Sequence, residues 1–386
     1  MEQLSLDSPL TRRQLEEATV DEYYDTLNTY TRLVGAEQLI KKLLPHMFAR
    51  ATKNHVEYSL MMQVVARMPD FDSWYAAWQQ SGRDLLAIAE DAEKQGRMVT
   101  AGDAYLQAAL LFHYAQLQCR PTRPERIQGR NLSIDCYCKG APHWDPPVER
   151  VTMAFSEGNL PGYLRLPRGG RVAPCVVIIS GANSVKEEAH FNGEYFINRG
   201  IATLAFDGPG QGETWERIKY TNERFENAVS AVLDYLEKRP ELDPSRFAVF
   251  GASTGGYLSA RAAARDKRIK AGVSLGGFYN LSTFAHWPIM MQEELQLLIG
   301  ADTLVETRAW VKEHITLAGV MPKVECPFLI LHGARDMQVP SSEAERMAAE
   351  APNADLRIFQ EGVHTVGNLN YLVAPLYGDW LAGKLK

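Results

Sequence analysis

The segment Gly251–Gly255 contains the residue types of a nucleophilic turn, because Ser253 is flanked by small residues in the pattern Gly-x-Ser-x-Gly. The run RFAVF before it has the composition of a strand, and the run GGYLSARAAA after it is typical of a helix. A serine on a sharp strand-to-helix turn needs small neighbours, since the backbone there is strained and adjacent segments come close. We therefore predict that Ser253 is a nucleophile rather than part of a purely structural turn.

A serine hydroxyl is a weak nucleophile until a base removes its proton. Histidines follow Ser253 at four positions, and only His364 comes after the last predicted strand, in LRIFQEGVHTVGN. Glycines on both sides of His364 favour an exposed loop, so His364 is the predicted base. His332 lies at the end of a predicted strand and is expected to be structural. His286 and His314 fall in a predicted lid, where His286 could touch a substrate.

The carboxylate that orients such a histidine is expected between the two, because the chain order in this kind of site is nucleophile, acid, histidine. Asp336 lies in the loop after PFLILHG, where it would fix the tautomer of His364 and stabilise the imidazolium. Asp207, in LAFDGPGQGE, precedes Ser253, and its glycine-rich loop lacks the pattern of a phosphate-binding loop. We predict a triad of Ser253, Asp336 and His364, and a structural role for Asp207.

Two backbone N–H groups are expected to stabilise the negative oxygen that forms when the serine attacks a carbonyl. Thr254 begins the helix after the nucleophile, so its N–H is one predicted donor. The other is expected in the loop after PCVVIIS, where Ser184 and Glu187 form a capping-box pattern that predicts a helix start. The N–H of Ala182 is the predicted second donor, with Asn183 as a side-chain contributor.

The elements that would position these residues begin at about residue 147, where short aliphatic runs alternate with helical segments. VERVTMAF and GYLRLP look like an edge pair of strands, and the later runs are PCVVIIS, IATLAFD, RFAVFGAS, IKAGVSLG, PFLILHG and LRIFQ. Strands without a polar face that alternate with helices imply a mostly parallel sheet flanked by helices. The predicted class is α/β, with an α/β-hydrolase fold over residues 147–386 and a helical lid insertion at about 281–322.

Residues 1–125 are predicted to form a helical N-terminal domain or cap, because apolar residues recur at helical spacing in runs such as MVTAGDAYLQAALLFHYAQLQ. An aromatic stripe there, formed by Phe71, Trp74, Tyr75 and Trp78, predicts packing against a neighbouring helix rather than a ligand site. Residues 126–146 are predicted to be a linker, since the segment RPTRPERIQGR is rich in proline and arginine.

The amino-acid composition of the chain argues against several classes of function. The 386 residues include 46% hydrophobic and 23% charged residues with a net charge of −6, typical of a soluble globular protein without a basic nucleic-acid surface. The N-terminal segment lacks the apolar core of a signal peptide, and no apolar run has the length of a membrane span. Five scattered cysteines favour reduced thiols in a cytoplasmic protein. We expect no metal, organic cofactor, nucleic acid or membrane partner.

Five stretches together resemble one branch of the α/β-hydrolase superfamily, the branch of 2,6-dihydroxypseudooxynicotine hydrolase and fungal polyketide-shortening hydrolases: SGANSVKEE, DGPGQGE, GASTGGY, LHGARD and VHTVGN. The resemblance implies cleavage of a carbon–carbon bond next to a ketone. It also implies a homodimer and a small aromatic or polyketide-like substrate bound between the core and the helical region. The expected substrate contacts are Asn183, Tyr257, His286 and Trp287.

Other functions stay open. The stretch GGFYNLSTFAHWP has no acid where that branch is expected to have one, and the nearest are Glu293 and Glu294. A carboxylesterase or lactonase with the same triad is therefore an alternative. A non-hydrolytic binding protein or a cyclase that reuses the pocket is a second, disfavoured because all three triad positions are filled. A peptidase of the prolyl-oligopeptidase kind is disfavoured because the N-terminal part reads as helices rather than propeller blades.

Overall fold

The computed structural model describes residues 19–120 and 122–386. These residues form two compact units. One contains the described residues up to Asp145 together with His286–Glu293, and the other contains Pro146–Ala285 and Glu294–Lys386. None of the helices in the described part of the chain is long and apolar enough to cross a membrane. The five cysteines all lie in that part, and none belongs to a disulfide.

The first unit is built of helices, as the sequence predicts for this part of the chain. They are α1 (Val20–Val34), α2 (Ala36–Leu43), α3 (Pro45–Lys53), α4 (Tyr58–Ala66), α5 (Trp74–Lys94), α6 (Met98–Tyr114) and α7 (Arg123–Gly140). The aromatic stripe packs between them, with ring centroids 5.3 Å apart for Trp74 and Trp78 and 5.6 Å apart for Trp78 and Tyr114 of α6. The stripe therefore joins α5 to α6.

Helix α7 occupies much of the segment that the sequence predicts as a linker. It begins with a capping box, in which the Glu125 N–H donates to Thr122 Oγ1 at 3.4 Å and the Thr122 N–H donates to Glu125 Oε2 at 2.7 Å. Pro124 lies in the first turn, where a missing N–H costs no helical hydrogen bond. Proline and polar residues are common both in loops and at the start of a helix, so composition alone does not separate the two here.

The second unit contains one sheet of eight strands in the order β1-β2-β4-β3-β5-β6-β7-β8. The strands are β1 (Val148–Phe155), β2 (Gly158–Arg165), β3 (Ala173–Ile179), β4 (Ala202–Phe206), β5 (Leu242–Ala252), β6 (Ile269–Leu275), β7 (Phe328–Gly333) and β8 (Ala354–Phe359). The pairs β1–β2 and β2–β4 are antiparallel, and all other pairs are parallel. The predicted mostly parallel sheet with an edge pair of strands is confirmed, and the edge pair is antiparallel.

Helices flank this sheet, and its central strands are covered on both faces. The helices that follow α7 along the chain are α8 (His190–Ile197), α9 (Asn222–Leu236), α10 (Thr254–Arg265), α11 (Ile289–Ile299), α12 (Leu304–His314), α13 (Ser341–Glu350) and α14 (Asn370–Lys384), and the first residues of α11 belong to the first unit. All residues of β3, β4 and β7 are buried. Aromatic side chains fill the core between strands and helices, as in the contact of Phe250 with Tyr377 at 4.7 Å between ring centroids. The sheet is therefore a rigid platform for the loops at its carboxyl end.

The segment predicted as a lid contains α11 and α12. Its first part, His286–Glu293, belongs to the helical unit, where the Glu293 carboxylate accepts a hydrogen bond from the Tyr24 hydroxyl at 3.0 Å and pairs with Arg120 at 3.0 Å. At the other end, the His314 carbonyl accepts a hydrogen bond from Asn222 Nδ2 at 2.7 Å. A lid function for this segment stays a prediction.

Candidate active site

Ser253 lies at the junction of β5 and α10, with φ 56° and ψ −123°. A residue other than glycine in this region costs about 1–3 kcal/mol, so the surrounding structure must hold it there. The Ser253 N–H donates to the Leu275 carbonyl at 2.9 Å, and the Ser253 carbonyl accepts from the Gly256 N–H at 2.8 Å. These bonds tie the turn to the end of β6 and to the first turn of α10.

The glycines of the motif are required by close packing. A Cβ on Gly251 would overlap the carbonyl of Gly255, and a Cβ on Gly255 would overlap the carbonyl of Ile179. Helix α10 can therefore begin directly against the ends of β3 and β5. Any larger residue at position 251 or 255 would displace the backbone of the turn and move Ser253 from its position.

His364 lies between the serine and a carboxylate. Its Nδ1 is 2.7 Å from Asp336 Oδ2, and its Nε2 is 2.9 Å from Ser253 Oγ. These partners assign the tautomer in which Nδ1–H donates to the carboxylate and the serine hydroxyl donates to Nε2. The Asp336 side chain is fully buried, and that of His364 is 12% exposed. The structure thus brings together the three residues that the sequence predicted as a triad.

Two glycines let the loops after β7 and β8 approach each other. A Cβ on Gly333 would overlap the Gly362 carbonyl, which also accepts a hydrogen bond from the Arg335 N–H at 2.9 Å. Because β7 and β8 are parallel neighbours, both loops leave the same end of the sheet. Asp336 and His364 can therefore meet although they are distant in sequence.

The environment of Asp336 favours its ionised form. Burial alone would raise the pKa of Asp336, but the facing His364 and backbone donors hold that pKa below its ordinary value. Its Oδ1 accepts from the Gln338 N–H at 2.9 Å and from the Val339 N–H at 3.0 Å. Burial lowers the pKa of His332, whose Nε2–H donates to the Val339 carbonyl at 2.9 Å. Asp336 is therefore the charged neighbour of His364, and His332 is neutral and holds the same loop.

The two predicted oxyanion donors lie on segments that border the nucleophile. Thr254 is the first residue of α10, where an N–H has no acceptor within the helix and carries the positive end of the helix dipole. A Cβ on Gly181 would lie 3.7 Å from Ser253 Cβ, so the loop after β3 passes beside the serine. Ala182 shares a peptide unit with Gly181, which places its N–H in this loop.

The element that follows this loop differs from the prediction. The sequence predicts a helix started by Ser184 and Glu187, whereas the structure has a short 3₁₀ turn, Lys186–Ala189, with Val185 at its N-cap. The Glu187 carboxylate accepts a hydrogen bond from the Tyr163 hydroxyl at 2.8 Å. The turn is therefore fixed by buried side chains rather than by a regular helix.

Lys186 is the centre of a buried ionic cluster that the sequence did not reveal. Its Nζ lies 2.7 Å from Asp207, 2.8 Å from Glu187 and 2.7 Å from Glu213. Burial alone would lower the pKa of Lys186, but these carboxylates raise it well above its ordinary value. Burial alone would raise the pKa of Asp207, but Lys186 holds it below its ordinary value. These contacts agree with the structural role predicted for Asp207. They also give Lys186 a structural role that the sequence alone does not indicate.

Tyr257 was predicted to contact the substrate, and its placement does not support that role. Its side chain has no exposed surface, its ring stacks on Phe278 at 5.1 Å, and its hydroxyl donates to Asn222 at 3.0 Å. Arg261 donates to the same hydroxyl at 3.2 Å. Tyr257 is therefore a core residue of α10.

The other expected substrate contacts lie in two places. Asn183 is half-buried in the loop after β3. His286 is exposed at the end of the 3₁₀ turn Phe284–His286, and the buried Trp287 follows it. A substrate role for Asn183, His286 and Trp287 stays a prediction.

The described part of the chain was also compared with the side-chain groups that bind metal ions. Among residues 19–120 and 122–386, no group of three or more His, Cys, Asp or Glu side chains is placed to hold a metal ion. The three carboxylates that cluster around Lys186 share its ammonium group as a common partner.

Comparison with known proteins identifies the family of this chain. Residues 188–382 match the prolyl oligopeptidase family. The 2,6-dihydropseudooxynicotine hydrolase of Paenarthrobacter nicotinovorans is 31% identical over 86% of this chain and 90% of its own length. The hydrolase LUC6 of Fusarium sp is 39% identical, but the match spans 56% of this chain and 55% of the fungal protein.

A solved structure extends the similarity to the whole fold. The crystal structure of the 2,6-dihydroxy-pseudo-oxynicotine hydrolase superposes with a TM-score of 0.81 at 30% identity, covering 88% of this chain and 95% of that one. The mostly parallel sheet and the helical N-terminal region therefore match the fold of a known hydrolase. This chain belongs to the prolyl oligopeptidase family of α/β-hydrolases, and it is an enzyme that catalyses hydrolysis.

Proposed function

We propose that this enzyme is a serine hydrolase that cleaves a carbon–carbon bond next to a ketone through an acyl-enzyme. The observation that carries the proposal is the hydrogen-bonded series Ser253–His364–Asp336 at the start of a helix. The choice of bond rests on the resemblance to the branch described above and on the similarity over most of both chains to the bacterial hydrolase.

In the first step, Ser253 Oγ attacks the substrate carbonyl while its proton passes to His364 Nε2. Asp336 accepts the Nδ1–H bond and stabilises the imidazolium that forms. The carbonyl oxygen becomes an oxyanion, and we expect the N–H groups of Thr254 and Ala182 to donate hydrogen bonds to it. Collapse of this intermediate breaks the bond to the α-carbon, and the departing enolate takes the proton from His364.

In the second step, the acyl-enzyme is hydrolysed. A water gives a proton to His364 Nε2 and attacks the acyl carbon, and the new intermediate collapses to a carboxylic acid. The proton on His364 returns to Ser253 Oγ, so the enzyme regains its starting state. The overall reaction consumes one water and yields an acid and a ketone.

The substrate class follows from the leaving group. A carbanion is a poor leaving group unless a neighbouring carbonyl delocalises its charge, so a β-diketone or a polyketide-type chain fits this chemistry. We propose a small organic substrate that contacts Asn183, and a homodimer as the resemblance implies. Light scattering on the purified enzyme tests the dimer.

A carboxylesterase or lactonase is the second candidate, favoured by one observation. The loop after β6 has no acid of its own, and Glu343 of α13 contacts it by accepting hydrogen bonds from the N–H groups of Tyr279 and Asn280 at 3.0 and 2.6 Å. An alkoxide leaving group needs no acid beyond His364.

One experiment separates these candidates. Wild type, Ser253→Ala and the control Ser245→Ala, at the exposed far end of β5, are each given benzoylacetone and p-nitrophenyl acetate. We expect wild type and Ser245→Ala to cleave the diketone to an acid and a ketone, and Ser253→Ala to be about 10³-fold or more slower. Strong ester turnover without diketone cleavage would instead establish the esterase. Full activity of Ser253→Ala would overturn both candidates.

A further inference from the structure

Gln211 connects two loops next to the nucleophile. Its Nε2 donates to the Ser180 carbonyl at 2.8 Å and to the Gly181 carbonyl at 3.0 Å, and its Oε1 accepts from the Gly208 N–H at 3.1 Å. The side chain is 2% exposed. One buried amide therefore uses both of its hydrogens and its oxygen to join the loop after β3 to the loop after β4.

The bond to Gly181 fixes the direction of the next N–H. In a trans peptide unit the carbonyl and the N–H point in opposite directions, so a Gly181 carbonyl aimed at Gln211 turns the Ala182 N–H away from Gln211. Ser253 lies beside the same peptide, since a Cβ on Gly181 would be 3.7 Å from Ser253 Cβ and 3.3 Å from the Ala252 carbonyl. We infer that Gln211 is a positioning residue that aims the Ala182 N–H at the oxyanion.

The two loops are also joined beyond Ala182. Asp207 Oδ1 accepts from the Lys186 N–H at 3.0 Å, and Asp207 Oδ2 accepts from Lys186 Nζ at 2.7 Å. Gln211 is itself held, because its carbonyl accepts from the Thr214 hydroxyl at 2.8 Å. The oxyanion loop is thus attached on both sides of the donor, and Gln211 governs the side that carries the donor's own peptide unit.

Burial excludes a direct role for Gln211 in substrate binding. A side chain that is 2% exposed, with all its polar atoms bonded to backbone, has no group left to offer a ligand. The inference rests on the proposed serine mechanism. Gln211 is expected to affect only the step in which negative charge forms on the carbonyl oxygen.

The test uses a fluorophosphonate, which reacts with an activated serine and needs no knowledge of the natural substrate. Ser253 Oγ forms a bond to phosphorus, the phosphorus–fluorine bond breaks, and the serine proton leaves through His364 with the fluoride. The phosphoryl oxygen gains negative charge in the transition state and needs the same N–H donors. Saturation kinetics give the binding constant KI and the labelling rate constant kinact separately, and kinact is independent of how much protein is folded.

The variants are Gln211→Ala and Gln211→Glu, and the second keeps the size and the acceptor while removing both donors. Asn353→Ala is the control, because Asn353 Nδ2 donates to the Glu325 carbonyl at 2.7 Å and so joins two loops at the amino end of the strands. We expect kinact to fall about 10- to 100-fold in both Gln211 variants with KI within about 3-fold, and Asn353→Ala to match wild type.

The outcomes separate the inference from the function on which it rests. If the wild type is not labelled at Ser253, the serine mechanism fails. If the wild type is labelled and both Gln211 variants keep kinact within about 2-fold, Gln211 does not position the donor. A rise in KI with an unchanged kinact would also overturn the inference, because it would place the effect in binding rather than in the charged transition state.

Discussion

Replacing Lys186 with methionine removes the ammonium group from the buried ionic cluster while keeping most of the side-chain volume. The carboxylates of Asp207 and Glu187 are 0% and 2% exposed, so they cannot turn to water, whereas Glu213 is 20% exposed and can. Removing one partner of a buried ion pair costs about 3–5 kcal/mol, because an uncompensated charge is left behind. We expect the free energy of unfolding of Lys186→Met to fall by about this amount.

The pH dependence distinguishes lost charge pairing from lost packing. In the wild type, Lys186 holds the pKa of Asp207 below its ordinary value, so the stability from this pair is present above that value and is lost as the pH falls through the lower folded one. In Lys186→Met, burial without a cation raises the pKa of Asp207, so stability is lost as the pH rises. The deficit of the variant is therefore expected to be smaller at about pH 5 than at about pH 8.

Urea unfolding followed by circular dichroism measures both quantities. Lys267→Met is the matched control, because Lys267 pairs with Glu325 at the surface, where the side chains are 54% and 71% exposed. Such a pair contributes less than about 1 kcal/mol, so the control is expected to unfold near wild type. A Lys186→Met variant within about 1 kcal/mol of wild type at both pH values would refute the reasoning.

Three further predictions concern single positions. Asp336→Asn is expected to lower kcat about 10⁴-fold at unchanged KM, since the amide favours the wrong tautomer of His364, and a loss under about 10-fold in steady-state assays would contradict this. Gly255→Ala is expected to cost more than about 3 kcal/mol in urea unfolding because the methyl meets a backbone carbonyl, whereas Gly383→Ala, with nothing within 4 Å, is expected to be near neutral; equal effects would argue against tight packing at the serine turn. Thr122→Ala is expected to lose about 0.5–2 kcal/mol by removing the cap of α7, seen as faster hydrogen exchange in its first turn, and unchanged exchange would contradict the cap.

The sequence was most informative where function depends on position relative to a strand end. Ser253, Asp336 and His364 each follow a short apolar run, and in a parallel sheet the ends of such runs meet at one edge. The predicted α/β class is confirmed for the same reason. The local sequence pattern and the sheet topology are enough to predict these three residues, because each residue only has to lie on the correct loop.

The sequence was least informative where a residue's role depends on distant partners. Lys186 reads as a surface lysine beside two glutamates, and only the fold brings Asp207 and Glu213 to it. Gln211 lies in a glycine-rich loop with no sign of the carbonyls that it binds. Tyr257 is among the expected substrate contacts, but its side chain is buried in the core, which sequence alone does not reveal.

The segment His286–Glu293 makes the chain enter the helical unit a second time, after leaving it at Asp145. Each unit therefore contains two separate segments of the chain, and dividing the chain at a single position cannot separate the units. A fragment that begins at Pro146 would carry this segment without Tyr24 and Arg120, the partners of Glu293. We therefore expect that the helical region and the hydrolase core have to be kept together when the protein is truncated or when segments are exchanged between relatives.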